Sequence, residues 1–341
     1  MLLAGVAAGL AAGAFFGAAA PAQAQTPIRF TLDWRFEGPS APFLAAIEKG
    51  YFAEEGLEVT IDTGAGSLES IPRVATGPYD MGFGDINSLI RFTDQNPGVG
   101  VKAVMMVYNR PAFAIVGRRS RGITEDIESL RDKRFGAPAP DAAYAQWPIF
   151  RTVNNIDEAE WNMTFENVGF PVREPMLAQG EVDAVFGFSM SSAVNLAARG
   201  VPEDDIVVLN MSDYGVELYG NVIMASPELM RDNPEAIRGF LRAFLKGLRD
   251  IAANPDEGAG FVVKYNDVAN RDVERARLEM TIQNNVMADE VAENGFGDVD
   301  PERFERAMEQ IGLTFNFANR PSLEDVFTNE FLPPREERDF P

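Results

Sequence analysis

The sequence predicts an α/β protein built as two doubly wound lobes joined by two crossovers, with a helical C-terminal region. Three observations predict it. A pattern occurs twice, as PRVATGPYDMGFG at 72–84 and as PMLAQGEVDAVFG at 175–187. At an offset of 103 residues, six of its thirteen positions are identical: Pro72/Pro175, Ala75/Ala178, Gly77/Gly180, Asp80/Asp183, Phe83/Phe186 and Gly84/Gly187. Each copy parses as a short helix opened by Pro, a Gly stop, an Asp turn and a buried strand ending in Gly. Around both copies, strand-length apolar runs alternate with helical spacing, the signature of a doubly wound sheet. Finally, GNVIMA at 220–225 offers a strand that returns to the first lobe, which makes that lobe discontinuous.

The elements follow in order. Ile28–Trp34 alternates apolar and polar residues and is the first strand. Ser40 can cap a helix with the apolar face Phe43, Leu44 and Ile47, stopped at Gly50. Leu57–Ile61 is the second strand, and Ser67 is placed to cap a helix running to Ala75. Met81–Phe83 is the third strand, with Asp85 as the cap of the next helix. Val101–Tyr108 and Phe113–Val116 have strong β character and close lobe 1. In lobe 2, Ile123–Leu130 reads as a helix and Phe135–Pro138 as a strand, and Asp141 caps a helix through Phe150. Thr164–Val168, Ala184–Phe186 and Ile206–Asn210 are further strands, with a helix from Met190 to Ala198. Residues 227–320 are mostly helical: Ile237, Phe240, Leu241, Phe244, Leu245 and Leu248 fall on one helical face. The expected division is a leader at 1–24, lobe 1 at 25–116 plus 222–341, and lobe 2 at 117–221. Two hinge strands permit closure around a ligand.

Composition excludes several classes of function. The formal charge of −22 argues against nucleic acid and anionic membrane surfaces as partners. The chain has no Cys and no His, which removes thiol nucleophiles, disulfides, His-based triads and zinc sites with such ligands. Nothing in the chain calls for a cofactor. Without His, no side chain has an ordinary pKa near neutrality, so ligand affinity is expected to be flat between about pH 6 and 8. Residues 2–24 are uncharged and end in Ala22-Gln23-Ala24, a cleavage pattern that places the mature start near Gln25. The expectation is a free periplasmic monomer; the alternative is an uncleaved membrane anchor.

LDW at 32–34, APFLAAIEKGYFAEEGLEVTI at 41–61, GAGS at 64–67, GPYDMGFGD at 77–85 and GEVDAVFGF at 180–188 together resemble one family. It is the periplasmic solute-binding proteins of ABC transporters, in the branch that includes thiamine-pyrimidine-precursor, nitrate, sulfonate and taurine binders. The resemblance covers nearly the whole mature chain and implies a type II-like binding-protein fold and a membrane permease as partner. The LDW start is closer to the pyrimidine-precursor binders than to the taurine or sulfonate binders. The eukaryotic pyrimidine synthase of thiamine biosynthesis is similar in outline, but its chemistry depends on His and Cys, which this chain lacks.

In open α/β sheets ligands lie beyond the carboxyl ends of strands, so the strand exits supply the candidates. Trp34 offers either a flat stacking face or a core ring, and family resemblance favours the ligand. Glu37 is either an acceptor for a ligand amino group or a solvated loop charge. Ser40 ends that loop. Gly66 and Ser67 open a helix whose amides favour an acceptor or anion. Asp85 is first a helix cap, and Asn87 beside it is an uncharged hydrogen-bonding group. Tyr108 ends a strand at the crossover, and Asn221 flanks the return. Tyr144 and Trp147 share a helical face, as ligand contacts or as core. Phe188 and Ser189 end the second copy's strand. Basic residues are scarce in these loops, with Arg35 and Arg110 the candidates. A doubly charged anion wants a firm Arg clamp, so a neutral or singly charged planar solute is expected. A small-anion binder, a ligand sensor and an enzyme on the same scaffold are the alternatives.

Overall fold

Ten strands form two separate sheets in the computed structural model, which describes residues 24–339. The expected leader falls outside these residues but for Ala24. The strands are β1 Thr26–Thr31, β2 Leu57–Asp62, β3 Met81–Asp85, β4 Lys102–Met106, β5 Phe113–Arg118, β6 Arg134–Gly136, β7 Thr164–Glu166, β8 Ala184–Phe188, β9 Ile206–Asn210 and β10 Asn221–Ala225. Their orders are β2-β1-β3-β10-β4 and β7-β6-β8-β5-β9. The two orders are the same topology. In each sheet the strand arriving from the other lobe, β10 or β5, is antiparallel to both of its neighbours. The two-lobe α/β architecture predicted from the sequence is the observed one.

The boundary differs from the expected one. Phe113–Val116 was expected to close lobe 1, but β5 pairs with β8 and β9 and belongs to the second sheet. The chain crosses at 107–112, around Arg110-Pro111, and crosses back at 211–220. Hydrophobicity alone does not say which sheet an apolar run will join.

The repeat marks equivalent places in the two lobes. The Asp80 amide donates to Arg29 O at 2.9 Å, and its carboxylate accepts from the Arg29 amide at 2.7 Å. Asp183 does the same with Arg134, at 2.8 and 2.9 Å. Each Asp thus pins the strand that follows it to a parallel neighbour, β3 to β1 and β8 to β6. The two Pro residues do not open their helices: Pro72 lies inside Ser67–Ala75 and Pro175 inside Phe170–Gln179. Ile123–Leu130 is also not a helix; only Ile127–Leu130 winds, as a 3-10 turn, with Asp126 accepting at its start.

Apolar burial holds each lobe. In lobe 1, Phe30 and Phe43 lie against Phe240 and Phe244 of the long helix Pro234–Ala253, with ring centroids 4.6–6.5 Å apart. In lobe 2, Phe135, Phe165 and Phe186 form a tight group with Trp147, at 5.3–6.3 Å. The C-terminal helices cover lobe 1 and the back of the hinges. There Arg303, on the helix Pro301–Gly312, donates to Asn109 O at 2.7 Å and Leu218 O at 2.9 Å, one carbonyl in each crossing. Its guanidinium also pairs with Glu290 at 2.6 Å and lies 3.9 Å from the Tyr219 ring centroid. Among the described residues no helix is long and apolar enough to cross a membrane, and no group of three or more acidic residues is arranged to hold a metal ion.

Candidate functional site

The carboxyl ends of the two sheets face each other across a cleft of about 670 Å3, its mouth included. From lobe 1 come Asp33, Trp34, Glu37, Gly66, Ser67, Tyr108 and Asn221; from lobe 2 come Asp141, Phe170, Arg173, Phe188 and Met190. The lobes touch over the cleft. The Trp34 ring meets Phe170 edge-on at 4.6 Å, and Arg91 of lobe 1 donates to Gln146 of lobe 2 at 2.8 Å. Gly66 has φ +114°, and a Cβ there would lie 2.8 Å from Pro140 O of the opposite lobe. No side chain fits that approach.

The lobe 1 wall is polar and centres on Asp33, which leaves β1 into the cleft. Asn221, at the start of β10, donates to Asp33 Oδ2 at 2.7 Å, and Ser67 Oγ donates to the same oxygen at 3.2 Å. Burial pushes the Asp33 carboxyl up to about 6, and these two bonds only partly oppose it. Asp85 behind it adds a like charge. A titrating carboxyl therefore sits in the cleft, contrary to the expectation drawn from the absence of His. Asn221 Oδ1 is buried without a protein partner, so an acceptor at the cleft has hydrogen-bonding capacity left over. Glu37 ion-pairs with Arg277 at 3.0 Å. Burial raises its pKa, and the Arg277 charge opposes that rise.

The lobe 2 wall is mostly apolar: Phe170, Phe188 and Met190. Its one cation, Arg173, is buried and fully engaged. It donates to Glu174 Oε1 at 2.6 and 2.8 Å, to Asp141 Oδ2 at 3.0 Å and to Phe186 O at 3.0 Å. Burial would lower its pKa, but Glu174 and Asp141 hold it above the ordinary value. Arg35 is exposed at the mouth, its guanidinium 5.4 Å from the Trp34 ring centroid.

Of the residues predicted from sequence, Trp34, Glu37, Ser40, Gly66, Ser67, Tyr108, Phe188 and Asn221 line the cleft. Five do not. Trp147 belongs to the lobe 2 core, stacked near Phe135 and Phe150 with its indole N–H on Glu158 at 2.8 Å. Tyr144 packs on Phe165 and Phe186. The shared helical face was a core stripe, because the chain turns its aromatic side onto β8. Asp85 is a cap, accepting from the Asn87 and Ser88 amides at 3.2 and 2.7 Å. Asn87 donates inward to Asp85 and to Tyr219 O, both at 2.7 Å. Ser189 is buried and its amide donates to Ala112 O at 2.8 Å. Ser40 and Ser67 do not cap: Ser40 Oγ donates to Glu37 O at 2.7 Å and Ser67 Oγ to Asp33.

Asp33, Arg173, Asp141, Phe170 and Met190 were not predicted as site residues. Asp33 had a legible signal, an acid inside an otherwise strand-like LDW run. Phe170 and Arg173 had another, since they stand at the repeat offset of 103 from Ser67 and Ser70.

Comparison with known proteins agrees with this architecture. A family model described as NMT1/THI5 like matches residues 38–258. A riboflavin-binding protein of Chloroflexus aurantiacus is 27% identical over 305 residues, 86% of this chain and 82% of that one. A formylaminopyrimidine-binding protein of Halalkalibacterium halodurans is 26% identical, covering 90% and 91%. A 4-amino-5-hydroxymethyl-2-methylpyrimidine phosphate synthase of Saccharomyces cerevisiae is 24% identical, covering 72% and 73%. Among solved structures, the periplasmic nitrate-binding protein of Synechocystis superposes with a TM-score of 0.68 at 12% identity, covering 92% and 91%. That last likeness is one of fold.

Proposed function

The chain belongs to the NMT1/THI5-like family, and on that premise we propose that it is the periplasmic solute-binding component of an ABC importer. It is a monomer that captures a small planar, nitrogen-containing, pyrimidine-like solute between its lobes and delivers it to a membrane permease. No chemistry occurs. The observation that carries this reading is the Asp33–Asn221 pair beside Trp34. Asp33 Oδ2 accepts from the side chains of Asn221 and Ser67, and Asn221 Oδ1 is left without a protein partner. A carboxylate and an amide oxygen as acceptors suit the amino group of an aminated ring. Trp34 and the Phe170–Phe188 wall supply apolar faces for the ring itself.

The small-anion reading is less favoured because the cleft's buried guanidinium is already bound to two carboxylates. The synthase reading is less favoured because a chain without His or Cys lacks the groups on which that chemistry depends. The test is a ligand panel read by thermal melts and calorimetry: 4-amino-5-hydroxymethyl-2-methylpyrimidine, a formylaminopyrimidine and riboflavin against taurine, an alkanesulfonate and nitrate. Planar members should raise the melting temperature. A shift with taurine or nitrate and none with planar compounds overturns the reading. Native mass spectrometry of protein purified without refolding identifies a co-purified ligand directly.

A further inference from the structure

Behind the cleft floor a second buried guanidinium joins the lobes. Arg277 lies on the helix Arg271–Thr281 of the C-terminal region, its side chain only 2% exposed. On the lobe 1 side its Nε donates to Glu274 Oε2 at 3.0 Å, and its Nη1 pairs with Glu37 at 3.0 Å. Glu274 in turn accepts from the Gly38 amide at 2.7 Å, which fixes the loop that carries Glu37. On the lobe 2 side Arg277 donates to Ser191 O at 3.4 Å and to Asn195 Oδ1 at 3.1 Å. Both acceptors lie on the helix Ser189–Ala198, which starts where β8 leaves the sheet.

We propose that Arg277 is an interlobe latch: it holds the Glu37 carboxylate at the cleft wall and keeps the lobes shut by donating to Ser191 and Asn195. The argument is geometric. A guanidinium presents its N–H groups as a rigid planar fork. Glu37 and Glu274 travel with Arg277, because all three belong to lobe 1. Ser191 and Asn195 belong to lobe 2 and are within reach only when the lobes are closed. Opening therefore removes the lobe 2 acceptors while the two carboxylates stay. It also lets water onto a cation that closure buries. Because one of its lobe 1 partners, Glu37, lines the cleft, the same residue sets the charge of the binding wall and the strength of closure. Arg277 is thus a positioning residue for binding, and the inference rests on the reading that the lobes close on a ligand.

The test uses the full chain and two variants. Asn195→Ala removes a lobe 2 acceptor and leaves the buried carboxylates paired. Arg277→Lys keeps the charge and loses the fork. Stopped-flow release of 4-amino-5-hydroxymethyl-2-methylpyrimidine should be about tenfold faster in either variant, as expected for loss of a hydrogen bond to a charged group. Its association rate should change far less. Small-angle scattering of the ligand-free protein should show a larger radius of gyration for Asn195→Ala, whose ligand-free melting temperature stays near that of the parent. An unchanged release rate in Asn195→Ala overturns the latch. If the parent does not bind the pyrimidine, the functional reading fails instead, and scattering alone decides: an unchanged radius in Asn195→Ala overturns the latch.

Discussion

The two copies of the repeat share a frame and differ in what they put on it. Both pin their strands with an Asp, and both end in a Gly against which a helix side chain packs closely. A Cβ at Gly84 would lie 2.8 Å from Ser70 Oγ, and one at Gly187 would lie 2.4 Å from Ser192 Oγ and 2.9 Å from an Arg173 nitrogen. The same carbonyl is bonded in each lobe, Phe83 O by Ser70 Oγ at 2.8 Å and Phe186 O by Arg173 Nη1 at 3.0 Å. Ser70 and Arg173 stand at the repeat offset, as do Ser67 and Phe170, Asp85 and Phe188, and Asn87 and Met190. In each of these pairs lobe 1 has a small polar or acidic residue, and lobe 2 has an apolar one or a large cation. The shared positions are those that build the sheet. Of the divergent pairs, Ser67 with Phe170 has both members on the cleft, and there lobe 1 is polar and lobe 2 apolar.

Substitution of Arg173 tests the contrast most severely. Arg173→Leu leaves Asp141 and Glu174 buried without their cation, and should cost about 3–5 kcal/mol of stability in chemical unfolding. A loss under 1 kcal/mol would mean that the carboxylates are held by something other than Arg173.

Asp33→Asn probes the polar wall. Burial of Asp33 makes the folded form hold its proton more tightly than the unfolded chain does, with the pKa near 6 instead of 3.8. The sign follows: stability falls as pH rises from about 4 through 6, by up to about 3 kcal/mol. The Asn variant should therefore melt higher than the parent at pH 7 and alike near pH 4, while binding an amino-substituted ring roughly ten- to a hundredfold more weakly. Unchanged affinity in calorimetry would remove Asp33 from the site.

Trp34→Ala should weaken binding by about 1–3 kcal/mol, the size of a lost stacking contact. A core Trp would instead cost about 3–5 kcal/mol of folding. Half-buried Trp34 touches the opposite lobe through Phe170, so affinity should suffer more than the melting temperature.

The pH dependence of binding sharpens the role of the polar wall. If ionised Asp33 accepts from the ligand, affinity for a non-titrating ligand should be flat from pH 8 to 7. It should fall about twofold by pH 6 and roughly tenfold per unit below about pH 5. A rise in affinity on acidification would mean that the protonated form donates to the ligand instead. The smallest effect is expected at Ser70, the lobe 1 counterpart of Arg173. Ser70→Ala should lose only about 1 kcal/mol in the same unfolding assay.

Strand positions were legible in the sequence because β-branched and apolar runs, Asp turns and Gly stops are local signals. So was the likeness of the lobes, through the repeat. Sheet membership of β5 was not, since pairing with β8 and β9 is decided by long-range register. For the cleft, the strand-exit rule located Trp34, Ser67 and Asn221, but it also selected Trp147 and Tyr144. Helical spacing puts those two on one face without saying what covers it. Arg173 was missed because its function depends on Asp141 and Glu174, and only folding brings Asp141, 32 residues earlier, against it.

Arg303 has a mechanical consequence. By binding one carbonyl from each crossing, it ties the two connecting segments to a common point. A pair of independent flexible links would let the lobes shear, twist and slide. A pair fastened at a common point lets them swing about a single axle. The C-terminal third of the chain supplies that common point, from the helix Pro301–Gly312. It thereby couples the two crossings through one side chain, so that a displacement of one is passed to the other.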